Sequence, residues 1–249
     1  MASSVVHPRL RDRVLSIVVS DNDGGANHVL PSANAVLGAQ LSGHVHAGER
    51  RLSPIGVTGI QPMLRTYRYA PATRSVLVRF APQGGACFGV PASELASRNV
   101  GLDDLVGPAL AREVIAEIQA AAEPAQAVAV VERLLLAMPV ALDPIVERAI
   151  AMISPVADEE RQVAAIARTL GISERQLERR FRDRVGMSPK RFASLRRFER
   201  AATLAATSRS LTRAALEAGY YDQSHFNREF RRFTGMPPGA WLRMSDSYK

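Results

Sequence analysis

The chain has 249 residues, 32 Lys and Arg against 24 Asp and Glu, and 47% hydrophobic residues, enough for two domains with cores of their own. Its one cysteine excludes an intramolecular disulfide and a Cys-Cys metal pair and favours a reducing compartment. No apolar run approaches bilayer-spanning length, and the opening MASSVVHPRLRDRVLSIVVSD, broken by Pro8, Arg9, Arg11 and Asp12, carries no signal-peptide core, so a cytoplasmic protein with no membrane partner is expected.

Residues 1–100 read as a strand-rich domain. VLSIVVS is followed by DNDGG, and AVLGAQLSG, IGVTGI, LRTYRYA and SVLVRFAP come after it as short apolar or alternating stretches between turn formers. His44 and His46 alternate along an expected strand, with Gly38 before them and Glu49 and Gly56 after. A metal site needs three or four convergent ligands, and no good third histidine follows, so polar residues near a strand end are the stronger reading and no metal or other cofactor is expected. Cys87, between Gly85 and Gly89, reads as a small buried hydrophobe rather than a redox sensor.

Residues 101–142 change to a helical period and are expected to connect two domains. Leu110, Val114, Ile115 and Ile118 form one stripe; a second helix from near Pro124 carries Val128, Val131, Leu135 and Met138, widened by Val130 and Leu134. So wide an apolar face must be covered, by the strand domain in the favoured reading and by a homodimer partner in the other.

Residues 143–249 are expected to be all-helical. DPIVERAIAMI (Asp143 to Ile153) suits a first helix, and VAAIARTLG (Val163 to Gly171) a second that stops at a glycine able to enter the left-handed region. The next helix, about 173–185, starts at Ser173 with Gln176 placed to complete a capping box. Leu177, Phe181 and Arg184 share one arc, and Arg175, Arg179 and Arg182 project opposite. A basic helix beginning at Pro189 and running to about Thr207 follows. LTRAALEAG (Leu211 to Gly219) and a helix over about 222–234 then repeat the pattern, with Asp222 as cap, Phe226, Phe230 and Phe233 as the buried arc, and Ser224, Arg228 and Arg231 outward, flanked by His225, Asn227 and Arg232. Leu177, Phe181, Gly186, Met187, Pro189 and Phe192 return 49 places later as Phe226, Phe230, Gly235, Met236, Pro238 and Trp241. One arginine-rich hairpin is ordinarily a solvated surface. Two with matched turns, on one stiff connector, fit tandem recognition of a duplex.

Charge supports this reading over a solvated face. Residues 155–249 hold 19 Lys and Arg against 11 Asp and Glu, and the preceding 154 residues hold 13 of each, so the net charge of +8 resides in the repeat-bearing part. That is the footprint of a polyanion-binding module attached to a neutral domain.

LGISERQLERRFRDRVGMSPKRF and AGYYDQSHFNREFRRFTGMPPGAW, with the helix between them, resemble the DNA-binding domain of AraC/XylS-type transcriptional regulators over about the last 95 residues. The resemblance implies two recognition helices entering successive major grooves of double-stranded DNA. Carried over by position, the family's base-reading sites fall on Arg175, Glu178 and Arg179 and on Ser224, His225, Asn227 and Arg228, with Arg182 and Arg231 near the backbone. The segment from about Ser75 through GGACFGVPASELASRNVGLDDLVG resembles the N-terminal domain of one subgroup of these regulators, which implies a cupin-like sensory barrel.

The expected fold class is therefore α+β, with a strand-rich N-terminal domain, a helical connecting region and an all-α C-terminal domain holding two helix-turn-helix units. The expected function is sequence-specific transcriptional regulation in the nucleoid-associated cytoplasm, with a small-molecule effector, a homodimer partner, and RNA polymerase for an activator as further partners. A non-specific architectural DNA-binding protein is the alternative. No enzyme is expected: similar DNA-binding domains occur fused to alkyl-accepting DNA-repair methyltransferases, but Cys87 lies in GGACFG, outside any such motif.

Overall fold

The alternating N-terminal stretches become two antiparallel sheets in a computed structural model, which describes residues 2–140, 142–154, 159–208 and 210–246. The strands are β1 (Ala2–Ser4), β2 (Val14–Asn22), β3 (Gly25–Val29), β4 (Val36–Ser42), β5 (Val45–Ala47), β6 (Arg50–Arg51), β7 (Ile55–Thr58), β8 (Arg65–Tyr69), β9 (Thr73–Phe80) and β10 (Asn99–Gly101). One sheet has the order β1-β2-β9-β4-β7-β10 and the other β3-β8-β5-β6.

Residue alternation along β9 shows how the larger sheet is used on both faces. Val76, Val78 and Phe80 point into a core shared with Leu37 and Ala39 of β4, Ile55 of β7 and Ile17 of β2. Ser75 and Leu77 point the other way, toward the smaller sheet, and with Gly38 and Gln40 of β4 and Tyr67 and Tyr69 of β8 they line a cavity of about 230 Å³. Gly38 faces Gly56 across the β4–β7 pairing, and a Cβ built on Gly38 meets nothing nearer than 3.7 Å. The absent side chain at position 38 is part of the cavity's volume.

The core face is roofed by helices. After a short turn of helix, α1 (Ala92–Leu95), come α2 (Leu102–Val106), α3 (Pro108–Ala120) and α4 (Pro124–Ala137). Val114 and Ile118 of α3 and Val128, Val131, Leu134 and Leu135 of α4 are buried in the core of the six-stranded sheet, each contributing about 1.5–3 kcal/mol. The wide apolar face is thus covered from within the chain, while Leu110 turns toward solvent at 37% exposure. Proline at the first position of both helices fixes φ without forfeiting a needed N–H.

The remaining helices are α5 (Pro144–Met152), α6 (Glu159–Thr169), α7 (Glu174–Val185), α8 (Pro189–Ser208), α9 (Leu211–Ala218), α10 (Gln223–Thr234) and α11 (Pro238–Asp246). They form two lobes, α5–α7 and α9–α11, and α8 belongs to both. Phe192 of α8 meets Phe181 of the first lobe with ring centroids 5.4 Å apart, and Phe198, less than two turns on, meets Phe230 and Phe233 of the second at 5.2 and 4.8 Å. One continuous core runs through both lobes and takes in Ala33 and Ile60 from the N-terminal domain.

Polar contacts repeat that docking. Ser32 Oγ and Ala33 N donate to Glu199 Oε1 on α8 at 3.0 and 2.9 Å. Buried Gln83 accepts from Asp143 N at 3.0 Å and donates to Asp143 O at 3.3 Å, and Leu64 N donates to Phe233 O at the end of α10 at 2.9 Å. No helix among the described residues is long and apolar enough to cross a membrane.

Candidate nucleic-acid interface

Local sequence chemistry sets the start and stop of both candidate recognition helices. At α7, Gln176 N donates to Ser173 Oγ at 3.2 Å and Ser173 N to Gln176 Oε1 at 2.9 Å, the reciprocal pair of a capping box. At α10, His225 N donates to Asp222 Oδ1 at 2.7 Å. Each ends on a glycine in the left-handed region, Gly186 at φ 90° and Gly235 at φ 76°. The helices span Glu174–Val185 and Gln223–Thr234, one residue inside the sequence-derived ranges because Ser173 and Asp222 are the caps.

Opposite faces are then assigned by burial. Leu177, Phe181 and Val185 are fully buried on α7, as are Phe226, Phe230 and Phe233 on α10. Arg184, expected on the α7 arc, lies at its margin, half-buried, and Val185 is the third anchor instead. Arg175, Arg179 and Arg182 stand exposed on α7, and Ser224, Arg228 and Arg231 stand exposed at the equivalent positions of α10. Glu178 is half-buried beside them and pairs with Arg182 at 3.2 Å one turn on, which orients that guanidinium without removing it from water.

His225 and Asn227 sit at the flanks of the α10 face rather than its crest, both half-buried. The His225 ring meets Tyr220 edge-on at 5.2 Å between centroids, and Asn227 Oδ1 is buried with no hydrogen-bond partner. Arg232, expected beside the outward residues, is exposed at 63% but engaged: its Nη2 lies 3.3 Å from Ser194 Oγ and 3.7 Å from Glu229 Oε1, and its guanidinium sits over the Phe233 ring at 5.1 Å.

Sequence reading missed the residues that fasten α7 and α10 from behind. On α7, Arg180 Nη1 donates to Asp143 Oδ2 at 2.7 Å, and Asp143 also caps α5 by accepting from Ile145 N and Val146 N. Burial alone would raise the Asp143 pKa, but Arg180 and the two amides outweigh it and hold the carboxyl below its ordinary value. On α10 the equivalent position is Glu229, buried at 7% exposure. Its carboxylate lies 3.5 Å from Arg197 Nε of α8 and accepts a short hydrogen bond from Ser194 Oγ. Arg197 also stacks on Tyr220 at 5.1 Å from the ring centroid, and burial, reinforced by Glu229, pushes the Tyr220 phenol up. Helical period places 180 and 229 inward, but their partners, 37 and 32 residues away, leave no local signal.

The residues considered for metal and thiol chemistry occupy other surroundings. His44 and His46 face each other edge-on at 5.1 Å between centroids, and Glu49 is engaged with Arg68 at 3.1 Å. Among the described residues no group of three or more His, Cys, Asp or Glu is placed to hold a metal ion. Cys87 is buried, and burial pushes its thiol up to about 11, which suppresses the nucleophilic thiolate at neutral pH.

Residues 166–244 match the family described as a helix-turn-helix domain. That segment is an AraC/XylS-type DNA-binding domain. The HTH-type transcriptional regulator MtrA of Neisseria gonorrhoeae is 31% identical to the chain over 87 residues, 34% of this chain and 29% of that protein. The chain therefore matches under a third of this curated relative's length. Over 92% of the chain, the 1.65 Å structure of ToxT from Vibrio cholerae aligns across 97% of its own length with a TM-score of 0.48 and 11% identity. An unsaturated-fatty-acid-bound ToxT aligns across 95% with a TM-score of 0.47 and 13% identity. The MtrA match has the length of the AraC/XylS-type domain alone.

Proposed function

We propose that the chain is a sequence-specific transcriptional regulator: α7 and α10 read successive major grooves of promoter DNA, and the two-sheet domain binds a small effector. The observation that carries the reading is the matched geometry of the two lobes. Positions 175, 178, 179 and 182 on one helix and 224, 227, 228 and 231 on the other share one angular arrangement, 49 residues apart, each backed by buried apolar anchors.

Within those sets, Arg179 and Arg228 are the candidates for bidentate contact with guanine O6 and N7, worth about 1–3 kcal/mol of discrimination each. Arg175, Glu178, Ser224, His225 and Asn227 complete the base-reading set, and Arg182 and Arg231 serve the phosphates. Ser224, His225 and Asn227 add little attraction for a polyanion yet can discriminate bases, which favours this reading over a non-specific architectural protein.

Selection of bound sequences from a random duplex library, followed by salt-titrated affinity for the winner and for a scrambled duplex, tests it. Two clusters about one helical turn apart with several kcal/mol of preference are expected. No enrichment, with both affinities falling alike as salt rises, would replace it with the architectural reading. Arg228→Ala should weaken the selected site far more than the scrambled one, whereas Arg231→Ala should weaken both alike and lower the salt slope by about one.

A further inference from the structure

We propose that the cavity between the two sheets takes a compact, uncharged ligand that donates a hydrogen bond to Gln61, and that its occupancy reaches the DNA-binding domain through the pairing of Gln61 with Ser32. The inference rests on the effector role assigned above to the two-sheet domain and gives that role a ligand chemistry and a route.

The lining sets the chemistry. Most of the wall is apolar surface, no carboxylate contributes, and the one charged contributor, Arg50, lies on an exposed two-residue strand. An ion placed inside would lose its hydration without a buried partner. Gln61, itself 5% exposed, lines the cavity. Its Nε2 is committed to Gly59 O at 2.8 Å, which fixes which end of the amide is nitrogen, and its Oε1 is buried with no partner. An unsatisfied buried acceptor costs about 1–3 kcal/mol. The terminal amide torsion is broad, so a small rotation turns Oε1 toward a donor in the cavity. Tyr67 and Gln40, both buried, add polar edges to the same wall.

The route is short and continuous. Gln61 forms an isolated bridge with Ser32, with Ser32 N donating to Gln61 O at 2.8 Å and Gln61 N to Ser32 O at 3.2 Å. Ser32 Oγ and the next amide both donate to Glu199 on α8, the helix shared by the lobes. Ile60, the neighbour of Gln61, is packed in the lobes' own core, and Leu64, three residues on, donates to the last turn of α10. Leu30, Ser32 and Asn34 line both the cavity and the groove against α8. A ligand that moves Gln61 therefore acts on contacts to both α8 and α10, as a shift in populations requires differential contacts in the two states.

Indole, a neutral ring with an N–H donor, is the probe. Its isostere benzofuran lacks the donor, and indole-2-carboxylate adds a charge. Calorimetric titration of the full chain without DNA should show indole binding at least about tenfold tighter than benzofuran, and indole-2-carboxylate not binding. Gln61→Met should abolish the preference, and Gly38→Leu, which fills the cavity without touching the helix-covered core, should abolish binding. Equal binding of indole and benzofuran, no binding of indole at millimolar concentration, or a preference that survives Gln61→Met overturns the site. Hydrogen exchange tests the route: indole should change protection of the α8 amides around Glu199 in the natural chain and not in Glu199→Ala, with Ser32→Ala giving a partial loss. An α8 response that survives Glu199→Ala overturns the route. Both arms omit DNA, so their failure is separate from failure of the selection experiment.

Discussion

The two lobes solve one mechanical problem with opposite charges. In the first, a cation on α7, Arg180, is tied to an anion, Asp143, at the head of α5; in the second, an anion on α10, Glu229, is tied to a cation, Arg197, within α8. The setting differs too. The Arg180 side chain is 42% exposed and Asp143 10%, whereas Arg197 and Glu229 are 9% and 8% exposed. The equivalent position is thus fastened in both lobes, with the sign of the pair reversed. The difference in burial implies that the second lobe is the more rigidly registered, because an unpaired charge inside it has no access to water.

The largest expected effect breaks that buried tie. Glu229→Ala should lower unfolding stability in urea by about 3–5 kcal/mol by leaving Arg197 uncompensated. Replacing both partners, Arg197→Met with Glu229→Leu, should recover most of that loss, and failure to recover it would mean that the carboxylate holds more than its partner. Phe230→Ala, at the meeting of four aromatic rings, should cost about 3–5 kcal/mol through the cavity it leaves. The first lobe is predicted to be more forgiving: Arg180→Ala should cost about 1 kcal/mol, its half-exposed guanidinium being screened by solvent. Ser173→Ala, which removes half of the capping box, should likewise cost about 1 kcal/mol.

The smallest effect is pH-dependent and belongs to the first lobe. Because the folded Asp143 carboxyl lies below its ordinary pKa, its stabilising contribution is complete above the unfolded pKa and disappears as pH falls through the folded one. Stability measured down into the acid range should therefore fall less steeply in Asp143→Asn than in the natural chain. An unchanged slope would show that this carboxyl titrates alike in both states.

Features that depend on a few neighbouring residues could be read from the sequence. The Ser173–Gln176 box, the Asp222 cap, the glycine stops and the two sets of buried anchors follow from local rules, and the outward Arg175, Arg179, Ser224 and Arg228 follow from helical period. The main strands were visible as alternating stretches, but their partition into two sheets and the cavity between them were not, since β4 pairs with β9 across more than thirty intervening residues. The same limit hid the fate of individual arginines. Charge counting treats Arg180, Arg197 and Arg232 like Arg179 and Arg228, yet the first three are paired with Asp143 or Glu229. Gln83, Ser32 and Leu64 carry no motif at all, and their role exists only once the two domains meet.

Sharing α8 between the lobes makes the spacing of α7 and α10 a discrete, inherited quantity. Each residue added to or removed from that helix would shift one lobe by about 1.5 Å and turn it by about 100° relative to the other. A single such change would swing the exposed face of α7 or α10 away from the side of the molecule that the other presents. Lineages descended from this chain can therefore vary the exposed residues of α7 and α10 by point substitution, whereas a new distance between the two helices requires rebuilding the connector itself.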